Sequence, residues 1–189
     1  MTNSTIGNAR ACGLVLLLLL VPAWIGTPAA QQGAADDWCR EDGWDGDRER
    51  FCEVRQLTVA PTAGVLSVEG TNGGISVEGQ ARGDVHVLAK VTATADTMAR
   101  ARQIASAVRV EGSLERIQAD GPQGLQNGDG WSVSFRLAVP RGLNLSLQTT
   151  NGGITMQDLD SKVEFRTTNG GVRLRRMDGD VRGQTTNGG

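Results

Sequence analysis

One five-residue string returns at a fixed interval near the end of this chain, and that recurrence restricts the fold more than any other feature. Thr149-Thr150-Asn151-Gly152-Gly153-Ile154 comes back as Thr167-Thr168-Asn169-Gly170-Gly171-Val172, and again as Thr185-Thr186-Asn187-Gly188-Gly189, eighteen residues later each time. Each eighteen divides into two nines, with Asp158-Leu159-Asp160 and Arg176-Met177-Asp178 at the alternate turns. Self-similarity at a short fixed period marks a repeat architecture, in which a unit buries its apolar face only against its neighbours. Side chains along a strand alternate between faces. Leu145, Leu147 and Thr149 therefore share a face, as do Val163, Phe165 and Thr167, and Val181, Gly183 and Thr185. Ile154 with Met156, and Val172 with Leu174, form a second inward set. Eighteen residues then make one coil of a two-sheet β-solenoid: strand, turn, strand, turn. Asn-Gly is expected to supply the positive φ angles of the tight turns. Asn151, Asn169 and Asn187 are expected to stack as a ladder, each amide bonding to the next coil, with Thr150, Thr168 and Thr186 stacked outside.

The same grammar occurs earlier. Leu66, Val68 and Gly70 precede Thr71-Asn72-Gly73-Gly74-Ile75-Ser76-Val77, which predicts an additional coil and adds Asn72 to the ladder. Alternation also marks strands around Val54 to Val59, Val85 to Val91, and Trp131 to Val139, the last ended by Pro140. Between them the period changes. Asp96 is a good N-cap, and Met98, Ala101, Ile104 (or Ala105) and Val108 follow at helical spacing, which predicts a helix over 97–107. Residues 113–119 read as a strand and 120–130 as a loop. The expected fold is mainly β, a solenoid domain over 54–189 with a helix-bearing insertion at about 92–130. Gly189 falls inside a turn motif, so the chain reads as truncated at its C-terminus.

Residues 1–30 read as a secretory signal peptide. Arg10 is the one charge before the apolar run Leu14 to Val21, Pro22 breaks that run, and Thr27-Pro28-Ala29-Ala30 supplies small residues for cleavage. The run is shorter than the roughly 20 apolar residues a membrane span takes, so no transmembrane span is expected. Cleavage removes Cys12 and leaves Cys39 and Cys52 as a pair in an oxidising compartment, where a disulfide is expected. Residues 31–53 then read as a leader followed by a disulfide-closed acidic cap, in a protein that is periplasmic, on the cell surface or extracellular.

The Trp38-Cys39-Arg40 and Arg48-Glu49-Arg50-Phe51-Cys52-Glu53-Val54-Arg55 stretches resemble bacterial exported β-strand-repeat proteins of the DUF4097 family, also named "putative adhesins". The Ala95-Asp96-Thr97 helix start, the Trp131-Ser132-Val133 strand ending at Val139-Pro140, and the tandem Thr-Thr-Asn-Gly-Gly strings fit the same pattern. The resemblance covers residues 38–189. It implies a right-handed β-solenoid in the cell envelope or outside the cell, and it carries no catalytic residues to transfer.

Composition narrows the function classes. A net charge of −2 with 4% aromatics and no Tyr lacks the basic patch and stacking surfaces of a nucleic-acid binder. One His and two usable Cys argue against a zinc site or His-dependent catalysis, and no cofactor is expected. Asp42, Asp45, Asp47 and Glu49 form a weak calcium candidate, because hard cations want clustered carboxylates; Arg48 and Arg50 interleave, and a solvated cap fits better. Asp158, Asp160, Asp178 and Asp180 invite comparison with polysaccharide-cleaving β-helices, yet Asp belongs in such turns anyway. Arg82-Gly83-Asp84 spells an integrin motif but also aligns with the turn at Gly179-Asp180-Val181, and His86 is expected to point outward. Glu164 and Arg166 on one wall, and Arg173 and Arg175 on the other, leave flat surfaces of mixed charge. These favour a non-catalytic adhesin or envelope-binding module whose partner is an unidentified envelope polymer or protein. The alternative is an envelope-stress sensor or accessory protein with a membrane partner; a polysaccharide-acting enzyme stands third.

Overall fold

The structure is a computed structural model that describes residues 37–40, 46–61 and 64–189. The signal-peptide assignment, together with Asp42 and Asp45, lies outside the described residues. Strands β1 (Glu49–Val59), β2 (Val65–Asn72), β3 (Ile75–Gln80) and β4 (Val85–Ala95) come first, followed by helix α1 (Met98–Ala107). Then come β5 (Arg109–Gly112), β6 (Arg116–Asp120), β7 (Gly130–Pro140), β8 (Asn144–Asn151) and β9 (Ile154–Asp160). Strands β10 (Val163–Asn169), β11 (Val172–Asp178) and β12 (Val181–Asn187) complete the order.

They form two six-stranded sheets, ordered β1-β4-β7-β3-β9-β11 and β12-β10-β8-β2-β6-β5. The inward residues of both sheets meet in one core. Val85, Val87, Ala89, Phe135, Leu137, Ile154 and Met156 of the first sheet are buried with Leu66, Val68, Ile117, Leu145, Leu147 and Val163 of the second. With so few aromatics, β-branched and Leu side chains on alternating positions fill the space.

Over the repeat the pairing is parallel and shifted by the repeat length. Val163 lies beside Leu145 and Val181, Thr167 beside Thr149 and Thr185, and Asn169 beside Asn151 and Asn187. Strand β2 continues this set, with Leu66 opposite Leu145 and Asn72 opposite Asn151. On the first sheet β3, β9 and β11 pair in the same sense.

A uniform coil does not run through 54–189. Both sheets are mixed: β1–β4, β4–β7 and β5–β6 are antiparallel. The reason is local. A coil needs a turn to the opposite sheet about every nine residues, but β1, β4 and β7 are each eleven residues long and carry no Asn-Gly or Asp-Gly break. They stay in one sheet and pair with one another. Strand β1 also starts at Glu49, so the expected cap boundary at residue 53 falls inside a strand.

The helix begins one residue later than predicted. Thr97 is the N-cap, its Oγ1 accepting from the Arg100 N–H, while the Asp96 carboxylate is taken by Arg48 at 2.9 Å. Ala101, Ile104 and Ala105 form the buried face of α1, packed against β4 and β1. The strand expected at 113–119 begins later, as β6, with the unforeseen β5 antiparallel beside it, and β6 joins β2 in parallel with Ile117 opposite Val68. The insertion therefore extends the second sheet rather than standing outside it.

Candidate functional site

The Asn-Gly turns of successive repeats lie directly against one another. The Asn151 side-chain amide donates to Asn72 Oδ1 at 2.8 Å, Asn169 to Asn151 at 2.7 Å, and Asn187 to Asn169 at 2.8 Å. Backbone bonds run the other way: the Gly152 N–H donates to the Asn169 carbonyl and the Gly170 N–H to the Asn187 carbonyl. A second ladder lies beside the first. The inward hydroxyls of Thr149, Thr167 and Thr185 donate to the carbonyls of Gly73, Gly152 and Gly170, each at 2.9 Å. These threonines are the polar members of the apolar face, and only the fold shows that their hydroxyls are satisfied. Replacing Asn169 with Ala removes one side-chain bond on each side and is expected to cost about 1–2 kcal/mol in chemical denaturation, with Thr168→Ala as the near-neutral control.

The glycines of these turns have a different role from the expected one. Positive φ occurs in the first copy, at Gly73 (φ 129), but at none of Gly152, Gly153, Gly170 or Gly171. There the constraint is close approach: a Cβ on Gly152 would run into the Gly73 carbonyl, and one on Gly170 into the Gly152 carbonyl. Near the alternate turns the positive φ falls on Asp158 (φ 58) within β9 and Arg176 (φ 46) within β11, and on Gly179 (φ 97) in the turn after β11. This flip turns Leu159 and Met177, rather than Asp158 and Arg176, toward the core. The Arg176 guanidinium grips Asp158 with two bonds of 2.6 and 2.7 Å.

That grip holds the Asp158 carboxyl below its ordinary value of 3.8 and pushes the Arg176 guanidinium up. A lowered acid pKa means stability present above the unfolded value and lost as pH falls through the folded one. Wild type is therefore expected to exceed Asp158→Asn in stability above about pH 4 and to lose that margin on further acidification, as read by urea midpoints across pH.

The disulfide joins Cys39 to Cys52 of β1, with Cα atoms 5.8 Å apart. It places residues 37–40 on the outer face of the first sheet. Trp38 is 5% exposed there, with the Arg136 guanidinium 4.0 Å and Lys90 Nζ 4.9 Å from its ring. Cation–π contacts of this kind fix both the ring and the cations. A groove of about 260 Å³ runs beside it, lined by Trp38, Ser76, Ser134, Arg136 and Thr155 among others. Another of about 500 Å³ is lined by Arg50, Lys90, Thr92, Thr94, Ser132 and Ser134. No signal in the sequence joins Trp38 to Lys90 and Arg136, because the three meet only through the disulfide and the β4–β7 pairing.

The acidic candidates separate. Asp47 and Glu49 line a cleft shared with Arg40, Arg48 and Arg50. Arg48 reaches across to Asp96 and Asp129, both at 2.9 Å, and Arg100 also holds Asp129 at 3.0 Å. Among the described residues, no three His, Cys, Asp or Glu side chains converge as metal ligands would. Asp160 and Asp178 lie side by side in the β9–β11 register, whereas Asp180 pairs with Arg182 at 3.0 Å. Arg82 and Asp84 pair with each other at 2.9 Å, which holds the Asp84 carboxyl below its usual range. His86 on β4 lies between Thr58 and Ala138 and is half-buried. Among the described residues no helix is long and apolar enough to cross a membrane.

No family model and no curated protein matches this chain. Solved structures do. A "putative lipid binding protein" from Parabacteroides distasonis ATCC 8503 matches 73% of this chain and 59% of its own length, at 9% identity and a TM-score of 0.40. A "putative cell adhesion protein" from Clostridium sporogenes ATCC 15579 matches 67% of this chain and 68% of its own, at 8% identity and a TM-score of 0.33. A "putative adhesin" from Bacteroides fragilis NCTC 9343 matches 71% and 96%, at 9% identity and a TM-score of 0.32. The chain thus spans about three fifths of the length of the first of these.

Proposed function

We propose that this chain is a non-catalytic exported scaffold, a right-handed β-solenoid of eighteen-residue coils like the DUF4097 β-strand-repeat proteins it resembles, acting as an adhesin or envelope-binding module. The observation that carries this is the column formed by Asn72, Asn151, Asn169 and Asn187, in which each side-chain amide bonds to the next. A column of identical contacts holds successive windings in one register. Their outer side chains then form flat, evenly spaced walls, suited to many weak contacts with an extended partner rather than one tight pocket. The Cys39–Cys52 disulfide supports export to an oxidising compartment. Non-catalysis is supported by the fate of the acids: Asp158 and Asp180 are tied up with arginines, and the remaining neighbours Asp160 and Asp178 are exposed at the ends of β9 and β11.

Co-sedimentation with purified insoluble cell wall tests the binding module. Retention on the wall is expected; recovery of the chain only with a single membrane protein would favour the sensor alternative. The chain and an Asp160→Ala/Asp178→Ala variant are both expected to release no reducing ends from glycans. Release by the parent and not the variant would overturn the non-catalytic assignment.

A further inference from the structure

The outer wall of the first sheet carries two rows of side chains that the strand register aligns across four strands. Arg136, Ser76, Thr155 and Arg173 make one row, and Ala138, Glu78, Gln157 and Arg175 the next. Neighbouring strands lie about 4.8 Å apart, so Arg136 and Arg173 stand roughly 14 Å from each other, while Arg173 and Arg175 on one strand stand about 7 Å apart. Arg136 is held by the Trp38 ring at 4.0 Å. Arg173 and Arg175 are exposed and form no ion pair with a described residue, in contrast to Arg176, which Asp158 holds. Between the cations lie Ser76, Thr155 and Gln157, neutral groups that both donate and accept hydrogen bonds. Glu78 is the one acid in the two rows.

The two rows hold three arginines and one acid, on a chain whose net charge is −2. This patch crosses four strands and opens into the groove beside Trp38, so it suits an extended ligand. Its cations are spaced and interrupted by hydroxyls and by Glu78, so it suits a polymer with separated negative charges and many hydroxyls. A dense polyphosphate would lay charge over Glu78. Arginine presents a planar fork that matches a carboxylate with two bonds. We infer that Arg136, Arg173 and Arg175, with Ser76, Thr155 and Gln157 between them, form a binding face for a polysaccharide bearing carboxylate groups. This rests on the envelope-polymer reading above and names the polymer's chemistry and its place on the protein.

Binding to immobilised polygalacturonate, a uronic-acid homopolymer, tests it, with neutral dextran and polyphosphate as comparisons. The chain is expected to bind polygalacturonate, to bind less as ionic strength rises, and to ignore dextran. Arg173→Glu/Arg175→Glu is expected to weaken binding at least roughly tenfold through loss of two charge-assisted contacts. Both residues are exposed, so the variant's unchanged melting curve serves as the folding control. Equal binding by the variant, equal binding to dextran, or stronger binding to polyphosphate would each overturn the inference. If the chain sediments with cell wall but does not bind polygalacturonate, this inference falls and the envelope-binding module stands. If it does neither, both fall.

Discussion

Gly152→Ala is expected to destabilise the protein by about 3 kcal/mol, the upper end of what overpacking costs, although the change adds one methyl group at a surface turn. The Gly152 backbone does not need a positive φ, so alanine has no conformational penalty there of the kind usually argued for glycine. The cost comes from what stands opposite. A Cβ at this position would overlap the Gly73 carbonyl and come within 2.9 Å of Gly74 N, all backbone atoms that cannot rotate away. Relief requires the two turns to part, and parting stretches the Asn151–Asn72 amide bond and the Thr149 bond to the Gly73 carbonyl together. Gly170 meets the Gly152 carbonyl in the same way, so Gly170→Ala should behave alike. Gly83→Ala, where nothing lies within 4 Å, is the control expected to be neutral. Equilibrium urea unfolding of the three variants checks this; an unperturbed Gly152→Ala midpoint would mean that the two turns are loosely apposed.

The paired substitution Cys39→Ser/Cys52→Ser is expected to cost a further large amount, roughly 3 kcal/mol in the chain-entropy model for a loop of this size. The sequence separation is 13. Most of that arises in the unfolded chain, which gains freedom when the link is gone. Part arises in the folded state, because the disulfide tethers Trp38 against Lys90 and Arg136. Trp38→Ala alone leaves the link but removes the ring, and about 2 kcal/mol is expected for a buried aromatic that rests on cations rather than in the main core. The two changes act on one segment. Combined in a single variant they should therefore cost clearly less than the sum of the separate effects. Additive losses would show that Trp38 holds its place without the disulfide.

The extent to which this structure is legible in the sequence differs from element to element. Alternation from Val85 to Val91 and from Val133 to Val139 marks β4 and β7 because each has one face in the core and one outside it. It does not say which strands they join. The helix is legible from its spacing, yet its cap moved from Asp96 to Thr97 because a distant residue, Arg48, claims the carboxylate. The flip at Asp158 and Arg176 left no trace, since non-glycine residues rarely adopt positive φ and nothing local predicts it. For the candidate site, Arg173 and Arg175 could be assigned to an outer face by alternation alone. Their alignment with Arg136 could not, because it passes through β3 and β7, far apart in the chain.

By itself the sequence determined the interval. Thr-Thr-Asn-Gly-Gly turns recurring every eighteen residues bring equivalent strands side by side, and the parallel register of β8, β10 and β12 is that interval expressed in space. Tertiary structure alone decided the rest: the antiparallel β1-β4-β7 group, the place of β6 beside β2, and the lodging of Trp38 on the outer wall. Each of these joins residues with no local relation. Only the competition among all strands for partners, and one covalent link, brings them together.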